Sequence, residues 1–152
     1  MYFEELAQGQ VIDTASHVVT AEEMASFALA YDPQPIHMDP DGASQGAFDR
    51  PIASGFQTMS IAWRLWVDAV MQDQGRAGIT LTDGTFHRPV FAGTEIRARV
   101  RIDEHRVTTR GHGLITMAFE VFGDDELVLT FRTTGLLGRA PAPATASATE
   151  SR

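Results

Sequence analysis

Residues 55–71, GFQTMSIAWRLWVDAVM, decide the fold of this 152-residue chain. Apolar side chains recur so often in this stretch that little of a helical circumference stays polar. They are Phe56, Met59, Ile61, Ala62, Trp63, Leu65, Trp66, Val67 and Val70. Because a helix that is apolar almost all round is a buried one, the stretch predicts a long central helix. Glycine in the following QDQGRAG, residues 72–78, predicts where that helix stops.

Strand patterns follow one another after this helix. The clearest is TEIRARVRIDEHRV, residues 94–107, in which apolar and polar residues alternate. One predicted face carries Ile96, Ala98, Val100 and Ile102, and the other carries Arg97, Arg99, Arg101 and Asp103. Further strands are predicted in GITLTDGTFHRPVF (78–91), LITMAFEVFG (114–123) and ELVLTFRTTGLL (126–137). Consecutive strands with short polar turns predict an antiparallel sheet with one wet face.

The chain before the central helix predicts a weak strand in TASHVV (14–19) and then a second helix. Thr20 and Glu23 form a capping box, and Pro33 makes Asp32 a poor helical residue, so this helix is expected to stop there. The sheet must bury its apolar face, and only the central helix is adequate for that. The sequence therefore predicts an α+β fold in one domain, residues 1–139, with a curved antiparallel sheet around a long helix. The tail, residues 140–152, is expected to be disordered.

The composition narrows the function. With 12 Lys+Arg against 20 Asp+Glu the net charge is −8, which disfavours nucleic acid as a partner. There is no cysteine, so disulfides and thiolate chemistry are excluded. No secretory signal and no apolar run of about 20 residues is visible, so a soluble cytoplasmic protein without a membrane partner is the expectation. His17, His87, His105 and His112 lack metal-ligand spacing with any carboxylate, and no metal site is predicted.

Two short stretches carry candidate chemistry. AYDPQPIHMDP, residues 30–40, is so proline-rich that it is expected to be neither helix nor strand. A bend there would bring Asp32 and His37 to one water, which they could deprotonate, although a turn aspartate and a packed histidine would give the same pattern. In RPIASGF, residues 50–56, Ser54 or its neighbour caps the helix. Gly55 would then offer a free N–H to a carbonyl oxygen, or simply allow a tight helix entry.

These stretches resemble the MaoC-like dehydratase family, which includes the (R)-specific enoyl-CoA hydratases. The resemblance rests on YDPQPIHMDP (31–40), RPIASGF (50–56) and FHRPVFAGTEI (86–96), and it spans about residues 5–137. It implies a hot-dog fold, which agrees with the helix and sheet predicted above. It also implies a homodimer that pairs its sheets edge to edge, with the active sites at the interface.

The resemblance further implies a carbon–oxygen lyase that adds water to a trans-2-enoyl-CoA thioester, giving a (3R)-hydroxyacyl thioester, or removes it. Asp32 and His37 would activate the water, and the Gly55 N–H would bind the thioester carbonyl. Tyr31, Ser54, Phe56 and Trp63 would line the substrate site. The acyl-CoA is the substrate, and no cofactor is implied.

The chain departs from the family pattern at several of these positions. Gln34 stands where the family often has Asn, Tyr31 stands where it often has Gly, and Ser54 replaces a common His. Trp63 stands where some hydratases carry a hydroxyl, so we expect it to shorten or reshape the acyl pocket. The acyl group is therefore left open.

Two alternatives also stay open. One is a hot-dog acyl-CoA thioesterase, although the central helix offers only Asp68 as its acid. The other is a non-catalytic module that binds acyl thioesters. In any of these cases an acidic chain must hold the phosphates of CoA. The candidate cations are Arg50, Arg88 and the row Arg97, Arg99 and Arg101. The row is most simply a solvated strand face.

Overall fold

Five antiparallel strands form one sheet in the order β1-β3-β4-β5-β2 in the computed structural model, which describes residues 1–39 and 48–141. The strands are β1 (Val11–Val18), β2 (Gly75–Phe86), β3 (Glu95–Val107), β4 (Gly113–Gly123) and β5 (Glu126–Leu137). The helices are α1 (Ala21–Tyr31), α2 (Pro35–Met38) and α3 (Gly55–Trp66), which continues as a π-helical turn, Val67–Met71. A 3₁₀ turn, Phe3–Glu5, precedes β1.

The central helix predicted from residues 55–71 is present, and it packs against the sheet along one side. The side chains that face the sheet are spaced four apart and are buried: Thr58, Ala62, Trp66 and Val70. The prediction that the whole circumference is buried is wrong. Phe56 is 66% exposed, and Met59, Ile61 and Trp63 are only half-buried. The sheet covers one side of α3, and the apolar residues of the other side line open grooves.

The alternation predicted for β3 is confirmed. Ile96, Ala98, Val100 and Ile102 are all fully buried against the helix layer. The arginines point to the outer face, where they are ion-paired: Arg97 with Asp125 at 2.9 Å, Arg99 with Asp13 at 2.9 Å, and Arg101 with Asp103 at 2.8 Å. The row is thus a paired outer surface of the sheet.

Local signals also set the turns. Thr20 Oγ1 accepts a hydrogen bond from the Glu23 N–H at 3.2 Å, and α1 ends at Tyr31 with Asp32 as its C-cap, as predicted. The tight turn between β4 and β5 places Asp124 at φ 48° and Asp125 at φ 69°, the left-handed backbone that two-residue hairpins require.

The proline segment differs from its prediction. Residues 35–38 form a single helical turn, so the segment is not wholly irregular. Pro35 occupies the first position of this turn, where its fixed φ suits a helix and its missing N–H costs nothing. One turn of this kind has no periodicity that a sequence could reveal.

The arrangement is the hot-dog fold, α+β in a single domain, with α3 lying in the sheet's concave face. Leucine, isoleucine, valine and aromatic side chains from α3, β3, β4 and β5 form one core. Among residues 1–39 and 48–141, no helix is long and apolar enough to cross a membrane. The predicted disordered tail lies, from residue 142 onward, outside the described residues, as do residues 40–47.

Candidate active site

Asp32 and His37 meet because α1 ends just before a bend and α2 begins just after it. Asp32 has the extended φ of −148°, and its N–H still donates to Ala28 O at 2.9 Å, which ties it to the end of α1. The His37 N–H donates to Gln34 O at 2.9 Å, which folds the chain back. As a result, His37 Nε2 lies 3.2 Å from Asp32 Oδ2, and the two side chains are only 9% and 14% exposed.

The orientation of the His37 ring is set by a backbone carbonyl. His37 Nδ1 lies 2.9 Å from Ile52 O, and a carbonyl oxygen can only accept, so Nδ1 carries a proton. The Ile52 N–H in turn donates to Ile36 O at 3.2 Å, which fastens the residues before α3 to α2. Nε2 is therefore the nitrogen that faces Asp32 and remains available for proton transfer.

Both oxygens of Asp32 are held by neighbouring donors. Gln34 Nε2 donates to Oδ1 at 2.6 Å, and the Ser54 hydroxyl donates to Oδ2 at 2.6 Å. These bonds lower the pKa of Asp32, and the bond from Gln34 has the larger effect, followed by that from Ser54. The nearby His37 lowers this pKa further, while burial opposes the shift. Asp32 is thus held as an acceptor carboxylate.

The amino end of α3 completes the site. Ser54 is the N-cap, and its Oγ accepts from the Phe56 N–H at 3.2 Å. The Gly55 N–H donates to no group in the described part of the chain, and it lies at the positive end of the helix. The Phe86 ring, from the end of β2, packs so closely on Gly55 that a Cβ there would overlap it.

One cavity of about 410 Å³ contains these groups. Asp32, His37, Gly55 and Phe56, all predicted site residues, line it together, and Ser54 reaches it through its bond to Asp32. The end of β2 and the residues after it, which are distant in sequence, supply much of the remaining wall together with β5: Phe86, His87, Arg88, Pro89, Val90 and Val128. The motif FHRPV was visible in the sequence, but its place beside Gly55 depends on how β2 pairs with β5.

Two predicted site residues lie elsewhere. Trp63 packs near Phe119, with ring centroids 6.0 Å apart, and lines a groove of about 480 Å³ between α3 and β2. Tyr31 is 78% exposed and lines a groove between α1, β1 and α3. Their roles in substrate binding stay predictions.

A larger groove lies away from the acid–base pair. The groove between α1, β1 and α3 encloses about 1220 Å³ but contains neither Asp32 nor His37. Two ion pairs line it, His17 with Glu23 and Arg64 with Asp68, each at 2.8 Å. Within residues 1–39 and 48–141, no group of three histidines or carboxylates is placed to hold a metal ion. The chemistry therefore points to the smaller cavity.

Comparison with known proteins agrees with this geometry. The family model described as "MaoC like domain" matches residues 4–120. The uncharacterized protein YdeM of Bacillus subtilis (strain 168) is 31% identical over 128 residues, which cover 84% of this chain and 91% of that protein. The (R)-specific enoyl-CoA hydratase of Aeromonas caviae is 34% identical over 103 residues, 67% of this chain and 75% of that enzyme.

Solved structures show the same similarity over more of the chain. The MaoC-like dehydratase from Rhodospirillum rubrum superposes with a TM-score of 0.84 at 26% identity, covering 93% of this chain and 99% of that one. The A. caviae (R)-hydratase, described as involved in PHA biosynthesis, superposes with a TM-score of 0.72 at 27% identity, covering 90% and 99%.

Proposed function

This chain belongs to the MaoC-like dehydratase family, and on that premise we propose that it is a hydro-lyase for trans-2-enoyl thioesters. It adds water to give a (3R)-hydroxyacyl thioester, or removes it in reverse. The observation that carries the proposal is the pair of Asp32 and His37, 3.2 Å apart, in one cavity with the Gly55 N–H, which has no acceptor among the described residues. An acid–base pair and an oxyanion donor are the two requirements of this reaction.

The carboxylate of Asp32 is the group suited to take a proton from water. It has about four acceptor positions. Among the described residues, Gln34 and Ser54 donate to one position each and His37 Nε2 lies 3.2 Å from Oδ2, which leaves room for a water to donate to the carboxylate. Because the pKa of Asp32 is lowered, the carboxylate is ionised and ready to accept. The water oxygen, as its proton leaves, attacks C3 of the enoyl group.

His37 is the group suited to protonate C2. In this reaction Nδ1–H stays bound to Ile52 O, and Nε2, which lies 3.2 Å from Asp32 Oδ2, carries the proton that is given up. That proton passes to C2 as the new C–O bond forms at C3. The proton on Asp32 then returns to His37, whose Nε2 is 3.2 Å from the same carboxyl group. Water has been divided between C3 and C2, and the pair is restored.

The amino end of α3 stabilises the charge that develops meanwhile. Attack at C3 moves electrons to the thioester oxygen, and the Gly55 N–H, at the positive end of a 12-residue helix, would bind that oxygen. Removing one such donor in other enzymes costs about 10²–10³-fold in rate.

The stereochemistry follows from having both proton-carrying groups on one side of the cavity. Asp32 and His37 touch each other, so the hydroxyl and the proton are delivered to the same face of the double bond. The 3R configuration is inferred from the A. caviae relative, which is named as an (R)-specific hydratase.

A thioester of CoA fits the charges at the cavity rim. Arg88 lines the cavity and is more than half exposed, with Glu126 at 3.5 Å as its ion-pair partner. Arg50 lies four residues before the Ser54 cap of α3, with its guanidinium 4.2 Å from the centre of the Phe91 ring. The Arg97, Arg99 and Arg101 row is engaged by carboxylates on the outer face of the sheet, so Arg88 and Arg50 are the better candidates for CoA phosphates.

A second copy of the chain is the partner that the sheet edge favours. β2 is an edge strand, and every one of its residues is exposed. Ile79, Leu81 and Phe86 are each more than half exposed along it. An unpaired apolar edge of this length is normally covered, and pairing with the same strand of a second copy would cover it while placing that copy beside the cavity wall at Phe86.

The test is hydration of crotonyl-CoA and a panel of branched enoyl-CoAs by the purified protein. The loss of enoyl absorbance measures the rate. The proposal predicts turnover to a (3R)-hydroxyacyl-CoA without release of free CoA thiol. Thiol release from saturated acyl-CoA would instead indicate a thioesterase. Ligand-induced thermal stabilisation by the whole panel with no product would indicate a binding module.

A further inference from the structure

Ser54 and Gln34, two positions at which the chain departs from its family's usual residues, both bond to the same carboxylate. The Ser54 hydroxyl reaches Asp32 Oδ2 and the Gln34 amide reaches Oδ1, each at 2.6 Å. Ser54 is 1% exposed, so water cannot easily replace its hydroxyl, whereas Gln34 is exposed. Two donors thus clamp the carboxylate from opposite oxygens.

The direction of the Ser54 bond is fixed by the helix it caps. Its Oγ accepts from the Phe56 N–H at 3.2 Å, and Asp32 Oδ2 can act only as an acceptor while it is ionised. The hydroxyl proton must therefore point to Asp32. A line of donors runs from the amino end of α3 through Ser54 to the carboxylate, and hydrogen bonds to charged acceptors are the strong ones.

We propose that Ser54 and Gln34 are positioning residues that keep Asp32 an oriented carboxylate, so that the proton between Asp32 and His37 Nε2 resides on Nε2 before water is added. This role rests on the proposed hydration, because Ser54 and Gln34 set where the proton lies in the acid–base pair of that reaction. The opposite arrangement, with the proton on Asp32 and a neutral His37, would turn both bonds into weaker neutral ones.

Among the described residues that line the cavity, the further titratable side chains are His87 and Arg88, and both have partners outside the Asp32/His37 pair. His87 Nε2 lies 2.9 Å from the Thr130 hydroxyl, and Arg88 faces Glu126 at 3.5 Å. The lowered pKa of Asp32, caused first by Gln34 and then by Ser54, points the same way as the geometry.

One consequence is that hydration should continue to lower pH than it would without these two donors. The pair is competent only while Asp32 is ionised, and its two donors extend that condition to lower pH. Removing either donor raises the pKa of Asp32, so the acid limb of the rate profile moves up in pH. A residue that served only to hold the fold would lower the rate without moving this limb.

The test compares Ser54→Ala and Gln34→Met with Thr20→Ala. Thr20→Ala removes the cap of α1, which does not touch Asp32, and so controls for the loss of a helix cap. The Asp32 carboxyl carbon is followed by ¹³C NMR in aspartate-labelled protein, with Asp32→Asn to assign its signal. The acid limb of crotonyl-CoA hydration is measured on the same proteins.

We expect the Asp32 midpoint and the acid limb to rise by about one pH unit in Ser54→Ala and Gln34→Met, and to stay in place in Thr20→Ala. Midpoints that coincide with the wild-type value in both variants would overturn the assignment. The NMR measurement needs no turnover, and Gln34→Met changes an exposed residue that leaves the core intact. A shifted midpoint in a protein that hydrates nothing would therefore refute the proposed function alone.

Discussion

His37 Nε2 lies 3.2 Å from Asp32 Oδ2, although a fully extended chain would separate residues five apart by about 16–18 Å. The contact exists because α1 ends at Tyr31, Pro33 redirects the chain, and the turn of α2 carries His37 back. The Ile52 carbonyl then holds the His37 ring, and the Gln34 and Ser54 side chains hold the Asp32 carboxylate.

Gly55 allows a close approach that no other residue permits. In Gly55→Ala the new Cβ would overlap the Phe86 ring, which must then turn into the cavity or out to solvent. We expect hydration of crotonyl-CoA to fall by about 10²-fold, because the carbonyl site is displaced. Steady-state kinetics check this. The double variant Gly55→Ala/Phe86→Ala has no such overlap. Its hydration rate should therefore be close to that of Phe86→Ala alone. Wild-type kinetics in Gly55→Ala would contradict the expectation.

Arg88 should matter for the phosphates and not for the chemistry. Arg88→Ala is expected to raise the KM for crotonyl-CoA about five-fold, the equivalent of ~1 kcal/mol for an exposed charge, with kcat unchanged. The KM for crotonyl-N-acetylcysteamine, which lacks phosphate, should not change. Arg99→Ala, which breaks the pair with Asp13 on the outer face, is the matched control. Equal effects on both substrates would show that Arg88 does not bind phosphate.

The edge strand β2 predicts the oligomeric state. Leu81 is 59% exposed on this strand, and a lysine there would place a charge in a proposed interface between two copies. Sedimentation velocity should show a dimer for the wild type and a monomer for Leu81→Lys. Leu29→Lys changes an equally apolar residue, 69% exposed on α1, and should stay dimeric. A monomeric wild type at micromolar concentration would remove the dimer from the account.

Glu4 ties the two ends of the domain together in a pH-dependent way. Its carboxylate accepts from the Ala140 N–H and from Arg139, each at 2.8 Å, and these bonds lower the pKa of Glu4 to about 2. A lowered folded-state pKa stabilises the fold above the ordinary value of 4.5, and this contribution is lost as the pH falls toward 2. The Tm difference between wild type and Glu4→Gln should therefore be present at pH 7 and shrink below pH 4.5. It is measured by thermal melts across this range.

Glu22→Gln is the control for that experiment. Glu22 is an exposed residue in the first turn of α1. Its substitution should leave the pH dependence of the Tm unchanged. If the Tm difference between wild type and Glu4→Gln did not change with pH, the charge of the Glu4 carboxylate would not be what holds the two ends of the domain together.

Much of this structure could be predicted from the sequence, for reasons that are local. The alternation in β3 and the capping of α1 by Thr20 follow from spacing alone, and both are confirmed. The grouping of Asp32, His37 and Gly55 required the family resemblance, because spacing alone also fitted a turn aspartate and a packed histidine. The structure does bring the three together in one cavity.

The remainder depended on contacts between distant segments. The half-exposed outer side of α3 could not be foreseen, because burial depends on which side the sheet covers. Phe86 and Arg88 reach the cavity through the pairing of β2 with β5, which no local pattern encodes. Gln34 was visible only as a departure from the family pattern, and its bond to Asp32 emerges from the turn geometry of α2.

The most direct test of the central claim is the rate of crotonyl-CoA hydration by wild type, Asp32→Asn and His37→Ala. Each substitution removes one member of the proton-carrying pair and should lower kcat by at least ~10²-fold, with the fold confirmed by circular dichroism. Wild-type hydration that survives both substitutions would contradict the account, because the water would then be activated elsewhere.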